Sequence, residues 1–130
     1  MDIIKRILRK ALNKIISKIG VASYLRKKNT ISVLTYHGIS GSGDVVNDYC
    51  FVSETEFDKQ MQYLSKKFTV KTPSEAYFGN EPTDKPVAVI TFDDGFLNNY
   101  SHAFPILKKY NLPAIIFLST NFIDKNDTVW

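Results

Sequence analysis

Cysteine is nearly absent from this 130-residue chain, and histidine is almost as scarce. The one cysteine, Cys50, excludes an internal disulfide framework and any cysteine-based zinc site. The only histidines are His37 and His102. No stretch of about 18 consecutive apolar residues occurs, so no transmembrane helix is written into the sequence. A length of 130 residues leaves room for one ordinary domain and is too short for a complete large barrel. What the chain does have is 44% hydrophobic and 13% aromatic residues, enough to build a core and to exclude wholesale disorder.

The net charge of +4 hides an asymmetry. Residues 1–28 carry nine Lys/Arg against the single acid Asp2, whereas residues 29–130 carry eight against twelve Asp/Glu. The two regions therefore read as a basic leader (1–28) and a mildly acidic domain (29–130). In the leader, Ile3, Ile4, Ile7, Leu8, Ala11, Leu12, Ile15, Ile16 and Ile19 recur at helical spacing, with Lys and Arg between them. That pattern predicts an amphipathic helix over residues 3–19, stopped at Gly20. At about 26 Å, with that much charge, it does not span a bilayer. No uninterrupted apolar core or small-residue cleavage site marks a secretory signal. Packing on its own domain, lying on an anionic membrane surface and binding nucleic acid remain as readings. The membrane surface is favoured over packing, and nucleic acid is set aside because basic charge stands there without groove-reading residues. The expected location is cytoplasmic, or peripheral to the inner face of the membrane.

The domain alternates strand-like and helix-like segments. Strands are expected at 31–36, 68–71, 87–92 and 113–118, with Pro86–Phe92 and Pro113–Leu118 apolar enough to be buried on both faces of a parallel sheet. Ser53 with Glu56, and Thr72-Pro73 with Glu75, are helix-start signals, and Phe57, Met61, Leu64 and Phe68 keep helical spacing after the first. Gly41–Asp48 reads as a loop. Asn98–Tyr110 has helical composition, but Pro105 must start a new turn or kink it. Such alternation implies parallel β/α units.

Chemistry is expected at Thr91-Phe92-Asp93-Asp94-Gly95, directly after the most apolar strand, because ligands of parallel α/β folds gather at the carboxyl ends of strands. Adjacent carboxylates repel, and a divalent cation would neutralise one while leaving the other free as a base. A chemically silent helix start dressed with acids is the plainer alternative.

The string VAVITFDDGFLNNYSHAFPILKKYNLPAIIFLSTNFI resembles the first motif block of the polysaccharide deacetylases, the NodB-homology or carbohydrate esterase family 4 enzymes. VLTYHGI and FVSETEFDKQMQYLSKKFTV resemble the opening of that domain in its poly-N-acetylglucosamine branch. The likeness runs from about Ile31 to the last residue. It implies an α/β fold, here a partial (β/α) barrel, and the amphipathic helix read from the leader's spacing precedes it outside the likeness. It also implies a hydrolase that removes N-acetyl groups from amino-sugar polysaccharides. On this resemblance Asp93 is the catalytic base, Asp94 a ligand of a divalent metal, usually zinc, and His37 the counterpart of the general acid. A satisfied structural histidine is the alternative for His37, and His102 is read as surface or packing.

The family's other two metal ligands form a His-x-x-x-His pair, which this sequence lacks. A catalytic zinc usually takes three protein ligands, and barrels of this type need at least ~200 residues. The expectation is therefore a truncated, inactive N-terminal portion of the domain. Its competitors are a non-catalytic membrane-surface or interaction module derived from such an enzyme, and a magnesium-dependent phosphoryl-transfer protein. The latter would need a phosphate-cradling loop, and Gly41-Ser42-Gly43 lacks the spacing.

Overall fold

A computed structural model describes residues 30–41, 43–44 and 48–123. The expected leader helix, residues 3–19, lies outside them. The most apolar segment forms the central strand. Val87–Phe92 is flanked along its whole length by Ile31–Tyr36, in a parallel register that runs from Ile31 beside Val87 to Tyr36 beside Phe92. In chain order the elements are β1 (Ile31–Tyr36), β2 (Gly38–Ser40), β3 (Phe51–Ser53), α1 (Glu54–Lys67), β4 (Thr69–Val70), α2 (Pro73–Phe78), β5 (Val87–Phe92), α3 (Phe104–Lys109) and β6 (Ile115–Ile116). A π-helical turn, Asn99–Ala103, leads into α3, and a 3-10 turn, Thr120–Phe122, follows β6. On the side of β5 away from β1, β4 pairs with its first residues and β6 with its last, both parallel. β2 and β3 form a separate parallel pair.

Side-chain caps set the starts of α1 and α2. Ser53 Oγ accepts the Glu56 amide at 3.3 Å, Glu54 and Glu56 sit in the first turn of α1, and Lys66 and Lys67 in the last. These charges complement the helix dipole. At α2 the capping box closes fully: Thr72 Oγ1 accepts the Glu75 amide, and Glu75 Oε2 accepts the Thr72 amide at 2.9 Å. Exposure alternates with period two along β1, whereas β5 is buried on both faces from Ala88 to Phe92. Ala88, Ile90 and Phe92 face Phe57, Met61 and Leu64 of α1 and Ile106 and Leu107 of α3. Tyr36, Phe57 and Phe92 form an aromatic cluster, with the Tyr36 and Phe57 rings edge-to-face at 5.1 Å. The opposite sheet face carries Ile31, Val33 and Thr35 of β1 and Val89 and Thr91 of β5. There Ile31 and Val33 remain exposed.

Three expectations are corrected. The strand expected over 113–118 is only Ile115–Ile116, and Ile116, Phe117 and Leu118 are exposed. β6 has only the end of β5 to pair with, and no described element covers its other edge. The strand expected over 68–71 shortens to Thr69–Val70, with Phe68 ending α1 instead. The helix expected from Asn98 to Tyr110 opens as the π-helical turn, in which the Phe104 amide reaches back to Asn99 O. Pro105, which has no N–H, sits in the first turn of α3. The β2–β3 pair is an addition that no sequence pattern announces.

Candidate active site

The register of β1 and β5 decides the geometry of the site. Tyr36 lies beside Phe92, so the next residues, His37 and Asp93, leave the sheet side by side at its carboxyl edge. The Asp93 amide donates to Tyr36 O at 2.9 Å and extends the ladder by one bond. Beyond it the chain turns within two residues. Asp94 adopts φ +68° and Gly95 φ +76°, and the Gly95 amide donates to Asp93 O at 2.9 Å. A left-handed backbone is costly for most side chains and is tolerated better by Asp than by most. At Gly95 a Cβ would also come within 2.5 Å of Leu118 Cδ2, so the turn passes close to the segment after β6.

This turn gathers three side chains. His37 Nε2 lies 4.0 Å from Asp93 Oδ2 and 4.0 Å from Asp94 Oδ2. Those separations are too long for direct hydrogen bonds, so all three polar atoms face a common space. His37 and Asp93 are 35% and 38% exposed, and Asp94 only 17%. Asp94 is also held, because Ser119 Oγ donates to its Oδ1 at 3.3 Å. Beneath the rim, Asp93 forms part of the wall of a mainly apolar recess of about 270 Å³ lined by Val33, Thr35, Val89, Thr91 and Tyr77. Behind it stands Tyr36, whose hydroxyl donates to Gln60 Oε1 at 2.7 Å and whose pKa burial pushes up to about 12. The Ile39 amide donates to Asn98 Oδ1 at 3.3 Å and ties β2 to the start of the π-helical turn.

The three residues singled out from sequence, His37, Asp93 and Asp94, are thus brought to one rim. His102 stands apart, beside Gly41. Ser119 was missed. The signal that could have found it is the rule that placed Asp93: Ser119 is the first polar residue after an apolar strand-forming run.

These donors do not make a zinc site by themselves. Among the described residues no group of three or more His, Cys, Asp and Glu is arranged to hold a metal ion. The rim offers one confined carboxylate, Asp94, with a more exposed acid and imidazole beside it, where a catalytic zinc takes three protein ligands.

Comparison with known proteins follows the same residues. Residues 80–129 match the sequence model of the polysaccharide deacetylase family. The chain is 38% identical over 97 residues to YxkH of Bacillus subtilis, covering 71% of this chain and 33% of that protein. It is 34% identical over 113 residues to the poly-β-1,6-N-acetyl-D-glucosamine N-deacetylase of Staphylococcus epidermidis, covering 75% and 38%. Among solved structures, the Streptococcus pyogenes deacetylase PplD in complex with acetate superposes with a TM-score of 0.65 at 29% identity, covering 79% of this chain and 49% of that one. IcaB of Ammonifex degensii gives a TM-score of 0.57 at 34% identity, covering 68% and 37%. The chain spans 33% and 38% of the length of the two curated relatives.

Proposed function

Since this chain carries part of a polysaccharide deacetylase domain, we propose that its rim of His37, Asp93 and Asp94 hydrolyses the N-acetyl group of an amino-sugar polysaccharide. The observation that carries the reading is the placement of His37 Nε2 at 4.0 Å from both carboxylates across the ends of β1 and β5. A deacetylating amide hydrolysis needs a base for the attacking water and an acid for the departing nitrogen. Asp93 and His37 suit those tasks, being the two members of the rim that a polymer can reach from solvent. Asp93 takes a proton from water as its oxygen bonds to the acetyl carbonyl carbon. The C–N bond then breaks, His37 delivers a proton to the sugar nitrogen, and acetate leaves.

Asp94 has a different part. Its lower exposure and its bond from Ser119 suit a fixed ligand, so it contributes one carboxylate to a divalent cation, zinc being the expected ion. Two further ligands would have to come from polypeptide outside the described residues. The sheet in turn forms part of a (β/α) barrel, whose interior face is the one carrying Val33, Thr35, Val89 and Thr91. With one of three ligands, the 130-residue chain alone is inactive in this reading. The basic, amphipathic leader would hold the protein at the inner face of an anionic membrane.

The Staphylococcus epidermidis relative acts on poly-β-1,6-N-acetyl-D-glucosamine by its name, so that polymer is the first substrate to try. The experiment measures acetate release from its oligomers. One sample is the chain alone, and the other is the chain joined to the part of that relative beyond the matched region, each with zinc supplied. Release by the joined protein and none by the chain alone is the expected result. No release by a folded, zinc-loaded joined protein would overturn the reading.

A further inference from the structure

Asn99 is the one polar side chain buried without a partner among the described residues. It is 3% exposed, and neither its Oδ1 nor its Nδ2 has a hydrogen-bond partner. It takes no part in the chemistry assigned to the rim. Leaving a buried polar atom unpaired is costly, and an amide left open at both ends is uncommon in native interiors. Asn99 lines a cavity of about 590 Å³ whose walls are mostly apolar, with Phe92, Phe104, Leu107 and Ile116 among them and Lys108 and Asn111 as the other polar side chains. Two of these, Phe104 and Ile116, are large apolar residues left exposed.

The chemistry of the cavity narrows its occupant. A sugar would bring several hydroxyls to walls that offer only Asn99, Lys108 and Asn111 as polar side chains. A helix would bring peptide groups already bonded within itself. An extended polypeptide brings apolar side chains for the walls, and the N–H and C=O of one of its residues, which point to the same side of a strand, supply the donor that Oδ1 needs and the acceptor that Nδ2 needs. The cavity adjoins β6, whose second edge has no strand partner among the described residues. The chain also spans only 33% and 38% of its curated relatives. We propose that the Asn99 cavity is the docking seat for an extended segment of the remaining polypeptide of the deacetylase domain, with the Asn99 amide as its polar anchor. The proposal rests on the reading that further polypeptide completes the domain, and it makes Asn99 a positioning residue.

The test uses the 130-residue chain and, as probe, the part of Bacillus subtilis YxkH beyond the matched 97 residues, expressed separately. Association is measured by calorimetry, and the thermal stability of the free chain by circular dichroism. Asn99→Leu keeps the side-chain volume and removes both polar atoms. In the free chain it should leave Tm unchanged or raise it, because an unpaired amide is gone. Toward the probe it should weaken association about tenfold or more, because the docked residue loses the partners of its N–H and C=O. Asn99→Ala should weaken association likewise and serves if the leucine packs badly. Three outcomes would overturn the proposal. They are absence of association, association insensitive to both variants (as expected for a cavity holding water alone), and marked destabilisation of the free chain by both, which would mean that Asn99 is already paired within it. The readout is independent of turnover. Asn99-dependent association without acetate release would sink the functional reading and keep the seat, whereas release without Asn99 dependence would do the reverse.

Discussion

Replacing Gly95 by alanine tests the turn that presents the two carboxylates. Gly95 holds φ +76°, and the preceding Asp94 holds φ +68°, so two consecutive residues are left-handed. Alanine in that region costs about 1–2 kcal/mol. A second contribution is steric, because the new methyl would stand 2.5 Å from Leu118 Cδ2. That atom is the tip of a flexible side chain that is 57% exposed, so it can swing aside for about 0.5–1.5 kcal/mol of rotamer cost. The expected loss for Gly95→Ala is about 2–3 kcal/mol, read as a lower urea midpoint at unchanged slope. In Gly95→Ala/Leu118→Ala the steric part should vanish and the backbone part remain, so the double variant should recover about a third of the loss. The turn also sets Asp94 against Ser119, so the single variant should disturb that contact. A Gly95→Ala protein within about 0.3 kcal/mol of the parent would refute the left-handed turn and the placement of Asp94 that depends on it.

Two further outcomes are expected. Tyr36 has its pKa raised to about 12 by burial, so it holds its proton more tightly folded than unfolded. Its contribution is complete below pH ~10 and is lost as pH rises toward 12, amounting to about 3 kcal/mol. Alkaline titration followed by circular dichroism should show that loss in the parent and a flatter profile in Tyr36→Phe, and equal profiles would contradict it. The leader should bind vesicles containing anionic lipid, more weakly as salt rises, and Ile7→Asp with Ile15→Asp should abolish binding in a sedimentation assay. Equal binding to neutral vesicles would return it to a packing role.

Much of the fold was legible because the strongest signals are local. Val87–Phe92 is apolar without interruption, and β5 occupies those six residues. The hydroxyl caps at Ser53 and Thr72 mark the starts of α1 and α2. The juxtaposition of His37 with Asp93 was different in kind. It depends on β1 pairing with β5 across an intervening 50 residues, which no local period encodes, and only the family resemblance pointed to it. β2 and β3 have three residues each, too few to express a period. The run Pro113–Leu118 misled because apolarity states what side chains prefer and not what covers them. Phe117 and Leu118 end exposed, and Ser119 was passed over although it bonds Asp94. Pro105 is expected to start a new turn or kink the helix, and it does stand in the first turn of α3; that the turn before it is π-helical no sequence pattern announces.

The division of labour between the paired acids is the centre of the functional account, and one paired measurement addresses it. The chain joined to the remainder of the Staphylococcus epidermidis deacetylase is prepared as parent, Asp93→Asn and Asp94→Asn. Each is assayed for bound zinc and for acetate release from poly-β-1,6-N-acetyl-D-glucosamine oligomers. Asp93→Asn should keep its zinc and lose turnover by about 10²–10⁴-fold, whereas Asp94→Asn should lose both. An Asp93→Asn protein that releases acetate at the parent's rate would contradict the assignment of the base, and with it the reading of this rim as a deacetylase site.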